Sequence, residues 1–275
     1  GLKISSPYIL WSGLFIVIPL FLIIFFAFTN STDSGYTFTL KHFEELMQPM
    51  YFRIFFRSIK LALISTLLCL LIGYPTAYII SKTKASRQGT LLMLAIVPMW
   101  MNFLLRTYAW SAILGRNGVI NTIITSLGFS PINILYTDTA VLLGMVYNFL
   151  PFMVIPIYTV LIKIDKNLVN AAYDLGANKA QAFRKIILPL SIPGIISGIT
   201  MVFMPAVSTF VISRLLGGGQ YMLLGNLIEQ QYTTMGDWNF GSAIAIFMMI
   251  VILLSMGIMN LFEGSDDKEG GTMLW

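Results

Sequence analysis

The chain has 275 residues, of which 57% are hydrophobic and 11% charged, and it carries a formal net charge of +5. Soluble domains carry about 25% charged residues, so a mean hydropathy of +0.80 excludes an ordinary soluble domain and points to the bilayer. One cysteine, Cys69, excludes an intrachain disulfide, and one histidine, His42, excludes a histidine-rich metal site and a Ser/His dyad within the membrane.

A bilayer core takes about 20 apolar residues as a helix, because backbone polar groups there must be satisfied internally. Six stretches qualify. The first, 8–28, also fits the charged end and apolar run of a signal peptide. Its length and its lack of a small-residue cleavage site favour a retained helix. The others are 61–80, 91–114, 140–162, 191–212 and 241–262. Pro19, Pro75, Pro98, Pro151, Pro156 and Pro205 fall within spans, where kinks are expected. Between the first two spans, the run 44–58 reads as an amphipathic helix at the outer surface, with Met50, Phe52, Phe55 and Phe56 toward lipid or a receptor.

Lys and Arg are enriched in cytoplasmic connections. With both termini inside, 10 of the 17 fall on the cytoplasmic side, among them Lys3, Lys82, Lys84, Arg87, Lys163, Lys166 and Lys268. Segments 29–60, 115–139 and 213–240 then face outward. The spans hold no Asp or Glu, the usual relays of ion-coupled carriers, and one clear charge, Arg106. No G-x-x-x-x-G-K-S/T phosphate loop occurs. Any chemistry therefore belongs to a partner, and a membrane-embedded hydrolase has no support.

The cytoplasmic connection 163–190, KIDKNLVNAAYDLGANKAQAFRKIILPL, is too long to be a mere link. A helical run leads to Gly176, a ready left-handed cap, and a second run, NKAQAFRKIIL, is expected to stop at Pro189. The residues alone leave two readings open: a helix that docks a partner protein, or a basic helix lying on the anionic inner leaflet.

This loop resembles that of ATP-binding-cassette importer permeases, whose pattern is E-A-A, three residues, G, nine residues, then I-x-L-P. Ala171, Ala172, Gly176, Ile186, Leu188 and Pro189 match it in register, and Asn170 stands where the family usually has Glu. The resemblance implies an all-α membrane protein of six transmembrane helices. Its architecture would be that of a type I importer permease, one domain over 1–275 with a cytoplasmic coupling helix. It also implies that residues 170–176, with Asp174 as the remaining acid, dock on an ATPase subunit. ATP and Mg would sit on that ATPase, leaving this chain with no catalytic residue, no metal and no cofactor. Implied partners are a second, related permease subunit in a heterodimer, two ATPase copies, an outer substrate-binding protein and membrane lipid, without nucleic acid. The setting would be a bacterial inner membrane.

Further stretches, including VPMWMNFLLRTYAW, VYNFLPFMVIPIY and GGGQYMLLGNLIEQQY, are similar to one permease subunit of spermidine/putrescine importers. That likeness implies polyamine import. The alternatives are a related importer of another solute, or a secondary carrier or channel. A flexible polycation calls for aromatic faces, carbonyls and carboxylates along its path. Trp100, Asn102, Tyr108, Tyr147 and Asn148 are the candidates within spans, beside Trp110, which reads better as part of an interfacial belt. Asp138, Glu229 and Asp237 are outward acids that either attract a cation or are simply solvated. Arg106 opposes a cation pathway unless it is paired or turned away. The glycines of 217–219 suggest a re-entrant or gate-lining loop, or an ordinary flexible one. The tail 263–275 has no functional reading.

Overall fold

The computed structural model describes residues 8, 10–32, 35–219 and 222–262. Lys3, Lys268 and the tail 263–275 lie outside them. The chain divides into two compact units, one of residues 1–58 and 222–254, the other of 59–221 and 255–275.

The first unit begins with α1 (Leu10–Ala27). It contains a wide π turn at Gly13–Val17, two residues ahead of Pro19. Proline clashes with the carbonyl four residues back, and a π turn moves that carbonyl aside. An antiparallel hairpin follows, β1 (Thr29–Thr32) on β2 (Gly35–Phe38), and then α2 (Lys41–Leu46). His42 is buried with Nε2 at 3.2 Å from the Thr29 carbonyl, so it ties α2 to the hairpin. The unit also holds the first turns of α3 (Pro49–Lys82), α12 (Leu224–Gln230) with a π turn at Gln231–Met235, and most of α13 (Trp238–Phe262). Its core gathers Ala27, Leu46, Leu224, Leu227, Phe240 and Ile244. Asn239 Nδ2 donates to the Phe26 carbonyl at 3.0 Å, and Ser58 Oγ accepts from the Leu224 amide at 2.9 Å.

The expected separate surface helix over 44–58 is not present. After a break at Met47–Gln48, α3 runs 34 residues without interruption. Such a helix is about 50 Å long, well beyond a hydrocarbon core of about 30 Å. Phe52 and Phe56 are exposed, while Phe55 packs on Phe247 at 5.0 Å between ring centres.

The second unit takes the rest of α3, then α4 (Ala85–Trp100), α5 (Phe103–Leu114) and α6 (Val119–Ser126). It continues with α7 (Asp138–Leu161), α8 (Lys166–Asp174), α9 (Lys179–Leu190), α10 (Ile192–Ser208) and α11 (Val211–Leu216). The centre of the unit is α10 packed along α7. Gly194 and Gly198, one turn apart in GIISG, let the two backbones close together: a Cβ on Gly194 would stand 3.0 Å from the Pro156 carbonyl oxygen. Small residues at this spacing are how membrane helices approach without a hydrophobic driving force. Met153 of α7 is fully buried, wedged between Gly198 and Gly73 of α3.

Among the described residues, four helices are long and apolar enough to cross a membrane: α1, α3, α7 and residues Trp238–Met259 of α13. Two bent pairs raise this to the expected six when each pair is counted as one span. One pair corrects the expectation of a continuous third span at 91–114. The helix stops at Trp100, residues 101–102 are extended, and the chain restarts at Phe103 with a 90° bend. Asn102 causes the restart, because its Oδ1 accepts from the Leu104 amide at 2.8 Å and caps a new helix. The expected span 191–212 likewise ends early, at Ser208, with Thr209 extended. Pro75, Pro151, Pro156 and Pro205 lie inside unbroken helices.

Candidate functional site

The loop 163–190 is built as its residues predict, with one difference. Asp165 starts α8 by accepting from the Asn167 amide at 2.9 Å, and the helix ends at Leu175 with Gly176 at φ +85°. The Ala177 amide bonds the Ala172 carbonyl and the Gly176 amide bonds the Tyr173 carbonyl, both at 2.9 Å. This paired closure is a Schellman turn, which only a residue comfortable at positive φ completes without strain. Asn178 and Gln181 then form a reciprocal capping box that starts α9.

Pro189 does not stop α9, contrary to the sequence expectation. A π turn at Phe183–Ile187 precedes it, the helix continues through Leu190, and the direction changes by 59° at Ser191. The π turn accommodates the proline here as it does before Pro19.

The helix–turn–helix is anchored from below by residues that the sequence pattern did not single out. Val169, Ala182 and Ile187 are buried. The Phe183 ring stands edge-on to Tyr74 and Tyr78 of α3, at 5.9 and 5.4 Å, and Tyr74 Oη lies 3.0 Å from Ser191 Oγ. The helical spacing of Tyr74 and Tyr78 was the available signal. On the other side, Asn170, Ala171, Asp174 and Gly176 are exposed, and so is Pro189, while Ala172, Ile186 and Leu188 are half-buried. Leu168 and Leu175 are also exposed, the latter by 88%. With Ala171 between them they form an exposed apolar stripe, uncovered by any of the described residues, on a helix with a Schellman cap.

Of the pathway candidates, Trp100 and Asn102 sit at the 90° break, with Trp100 77% exposed. Tyr108 is also exposed. Trp110 meets Tyr147 edge-on at 5.3 Å, joining α5 to α7. Asn148, next to Tyr147, is buried and donates to the Gly144 carbonyl at 2.8 Å. Asp138 opens α7 and is half-buried. Glu229 is half-buried on α12 and belongs to the first unit, whereas the other candidates belong to the second. Gly218 and Gly219 do take left-handed φ of +64° and +71°, while Gln220 and Tyr221 of that loop lie outside the described residues.

Arg106 is buried, on the α5 face that also carries Trp110 one turn on, and its guanidinium lies 6.0 Å from the Phe103 ring centre. Its Nε and Nη1, and Oδ1 of Asn148, are buried with no hydrogen-bond partner among the described residues. Arg106 is thus buried, whereas Tyr108, two residues on, is exposed. Among the described residues, no group of three or more His, Cys, Asp or Glu side chains is placed to hold a metal.

The chain is 42% identical over 256 residues to the spermidine/putrescine transport system permease protein PotB of Escherichia coli K12, covering 91% of this chain and 92% of that one. The PotB protein of Haemophilus influenzae is 39% identical, over 89% and 87% of the two chains. In fold, the chain is similar to a bacterial ABC transporter involved in import of the acidic polysaccharide alginate. The TM-score is 0.77 at 19% identity, over 95% and 93% of the chains. An inward-facing methionine transporter, MetNI, matches at TM-score 0.59 and 17% identity, over 78% and 97%. Residues 4–265 match the family model described as the binding-protein-dependent transport system inner membrane component. This multi-pass chain, with its capped helix–turn–helix loop, belongs to that family of ABC importer permeases.

Proposed function

We propose that this chain is the polyamine-translocating permease subunit of an ATP-driven importer, with α8 as the helix that docks on the ATPase. The observation that carries the docking role is the rigidly capped α8, whose Leu168, Ala171 and Leu175 face outward without an intrachain partner. The polyamine substrate is supported by the 42% identity to PotB. Family membership sets aside the secondary carrier or channel.

In this reading residues 1–275 act as one permease domain with both termini cytoplasmic, paired with a second, related permease. Two ATPase copies hold ATP and Mg, and a binding protein delivers substrate at the outer face. The solved alginate transporter was captured with a ligand-bound periplasmic protein, and its fold likeness supports the same layout. Movement of the ATPase reaches α8 through Asn170, Ala171, Ala172, Asp174 and Gly176. Ile186, Leu188 and Pro189 carry it along α9, which is tied to α3 through Phe183. At the 90° break, Trp100, Asn102 and Tyr108 offer aromatic and amide surface to a polycation. Tyr147, Asn148 and Asp138 are the further candidates in the same unit, and Glu229 is a separate candidate in the first unit.

The test is uptake of labelled spermidine into proteoliposomes holding the assembled transporter, with binding protein on the outward face. ATP-dependent uptake competed by putrescine and not by amino acids supports the reading. An ATP-hydrolysing complex that ignores polyamines keeps the importer and overturns the substrate.

A further inference from the structure

Beside α8 lies a cavity of about 610 Å³ that the docking role leaves unexplained. It is lined by Lys82, Lys84 and Lys166 and by no Asp or Glu. None of these lysines has a carboxylate partner among the described residues. Lys82 Nζ instead stands 5.6 Å from the Tyr78 ring centre, and Asp165 caps α8. The carbonyls at the end of α3 are already occupied. Gln88 Nε2 donates to the Ser81 and Thr83 carbonyls at 3.0 and 2.9 Å, while its Oε1 accepts from Tyr158 Oη at 3.3 Å. Ala85 and Lys166, also in the lining, open the N-termini of α4 and α8. Three cations and the side-chain-uncapped N-terminus of α4 therefore face this space, while the N-terminus of α8 is already capped by Asp165.

Position and lining suggest the source of an anion held there. The cavity sits where α3 and α7, both long and apolar enough to cross a membrane, end and where α4 begins. Its wall also carries Leu161, Ile162 and Ile164. A lining that mixes apolar side chains with three lysines matches the top of a phospholipid better than a free ion. Basic pockets between spans bind anionic headgroups in this way.

We infer that this cavity binds a phosphate-bearing anion, supplied by the headgroup of an anionic phospholipid such as phosphatidylglycerol. Bound there, the headgroup braces Lys166 of α8 against Lys82 and Lys84, so the docking helix is held to the spans through a lipid. The inference rests on the membrane placement of the chain and not on which solute is carried.

The test is native mass spectrometry of the assembled complex, this chain with its partner permease and ATPase. The probes are dioleoyl-phosphatidylglycerol, dioleoyl-phosphatidylcholine and soluble glycerol phosphate. The expected result is preferential retention of phosphatidylglycerol, weakened on the order of a hundredfold by the triple change Lys82→Gln, Lys84→Gln and Lys166→Gln. The corresponding Arg variants and Lys179→Gln, outside the cavity, retain it. Asn170→Glu, which brings a carboxylate to the lining without removing a lysine, weakens retention as well. Glycerol phosphate bound with the same lysine dependence while phosphatidylglycerol is ignored would keep the phosphate site and move its source to the cytosol. Equal retention of both lipids, no loss in the triple variant, or expulsion of the lipid when the ATPase binds would overturn the inference.

Discussion

The contact between α7 and α10 makes a sharp prediction, because two glycines of one motif meet different kinds of neighbour. A Cβ on Gly194 would lie 3.0 Å from the Pro156 carbonyl oxygen, 3.0 Å from Val160 Cγ2 and 3.1 Å from Ile157 Cα. Two of those three atoms are backbone and cannot rotate away. A Cβ on Gly198 would lie 2.7 Å from Met153 Sδ, with Met153 backbone at 3.3 and 3.4 Å. Gly194→Ala must push the helices apart, an overpacking cost of about 1–3 kcal/mol. The cost of Gly198→Ala falls mainly on the Met153 thioether, which Gly73 hems in from the far side. Combining each change with Met153→Ala separates the two. Removing the thioether should offset Gly198→Ala by about 1 kcal/mol or more of favourable coupling, while Gly194→Ala with Met153→Ala adds without coupling. The assay is denaturation of the purified permease pair in mixed micelles, followed by tryptophan fluorescence. Coupling at Gly194, or none at Gly198, would refute the reasoning, as would a Gly194→Ala variant as stable as the parent.

At Gly176, φ is +85° and no heavy atom lies within 4 Å of an added Cβ, so only the backbone is at stake. Gly176→Ala should cost about 1–2 kcal/mol in the cap, lowering spermidine uptake per ATP hydrolysed. Gly176→Pro or deletion of 170–176 should abolish uptake while leaving the protein in the membrane, and unchanged uptake would sink the docking role. Leu175→Asp, on the exposed end of α8, should leave the permease pair folded and weaken its co-purification with the ATPase by tenfold or more. Arg106→Met should leave the isolated subunit as stable or make it more so, because a buried unpaired guanidinium is costly. A loss of about 3 kcal/mol or more on thermal denaturation would show that Arg106 has an intrachain partner. Trp100→Ala, at an exposed site, should reduce uptake with little change in stability, which parallel uptake and denaturation measurements would check.

Much of this was legible in the chain itself, and for simple reasons. Apolar length determines where a helix can cross a bilayer, so α1, α7 and most of α13 fall where hydropathy puts them. Gly176 marks the turn that ends α8 because a left-handed cap is a local property of one residue. Local pattern failed where a side chain or a distant helix decides the backbone. The run 91–114 is apolar enough on average to read as one span, yet Asn102 accepts from the amides ahead of it where the helix breaks by 90°. Pro189 should stop a helix by its local chemistry, yet a π turn carries α9 past it. The buried face of α8, the wedge of Met153 between Gly73 and Gly198, and the lysine-lined cavity exist only in three dimensions. Each joins residues tens of positions apart, and hydrophobic length and turn chemistry carry no information about which helix faces which. Charge counting could place Lys82, Lys84 and Lys166 on one side of the membrane. Only the packing of α3, α4, α7 and α8 gathers them around one space.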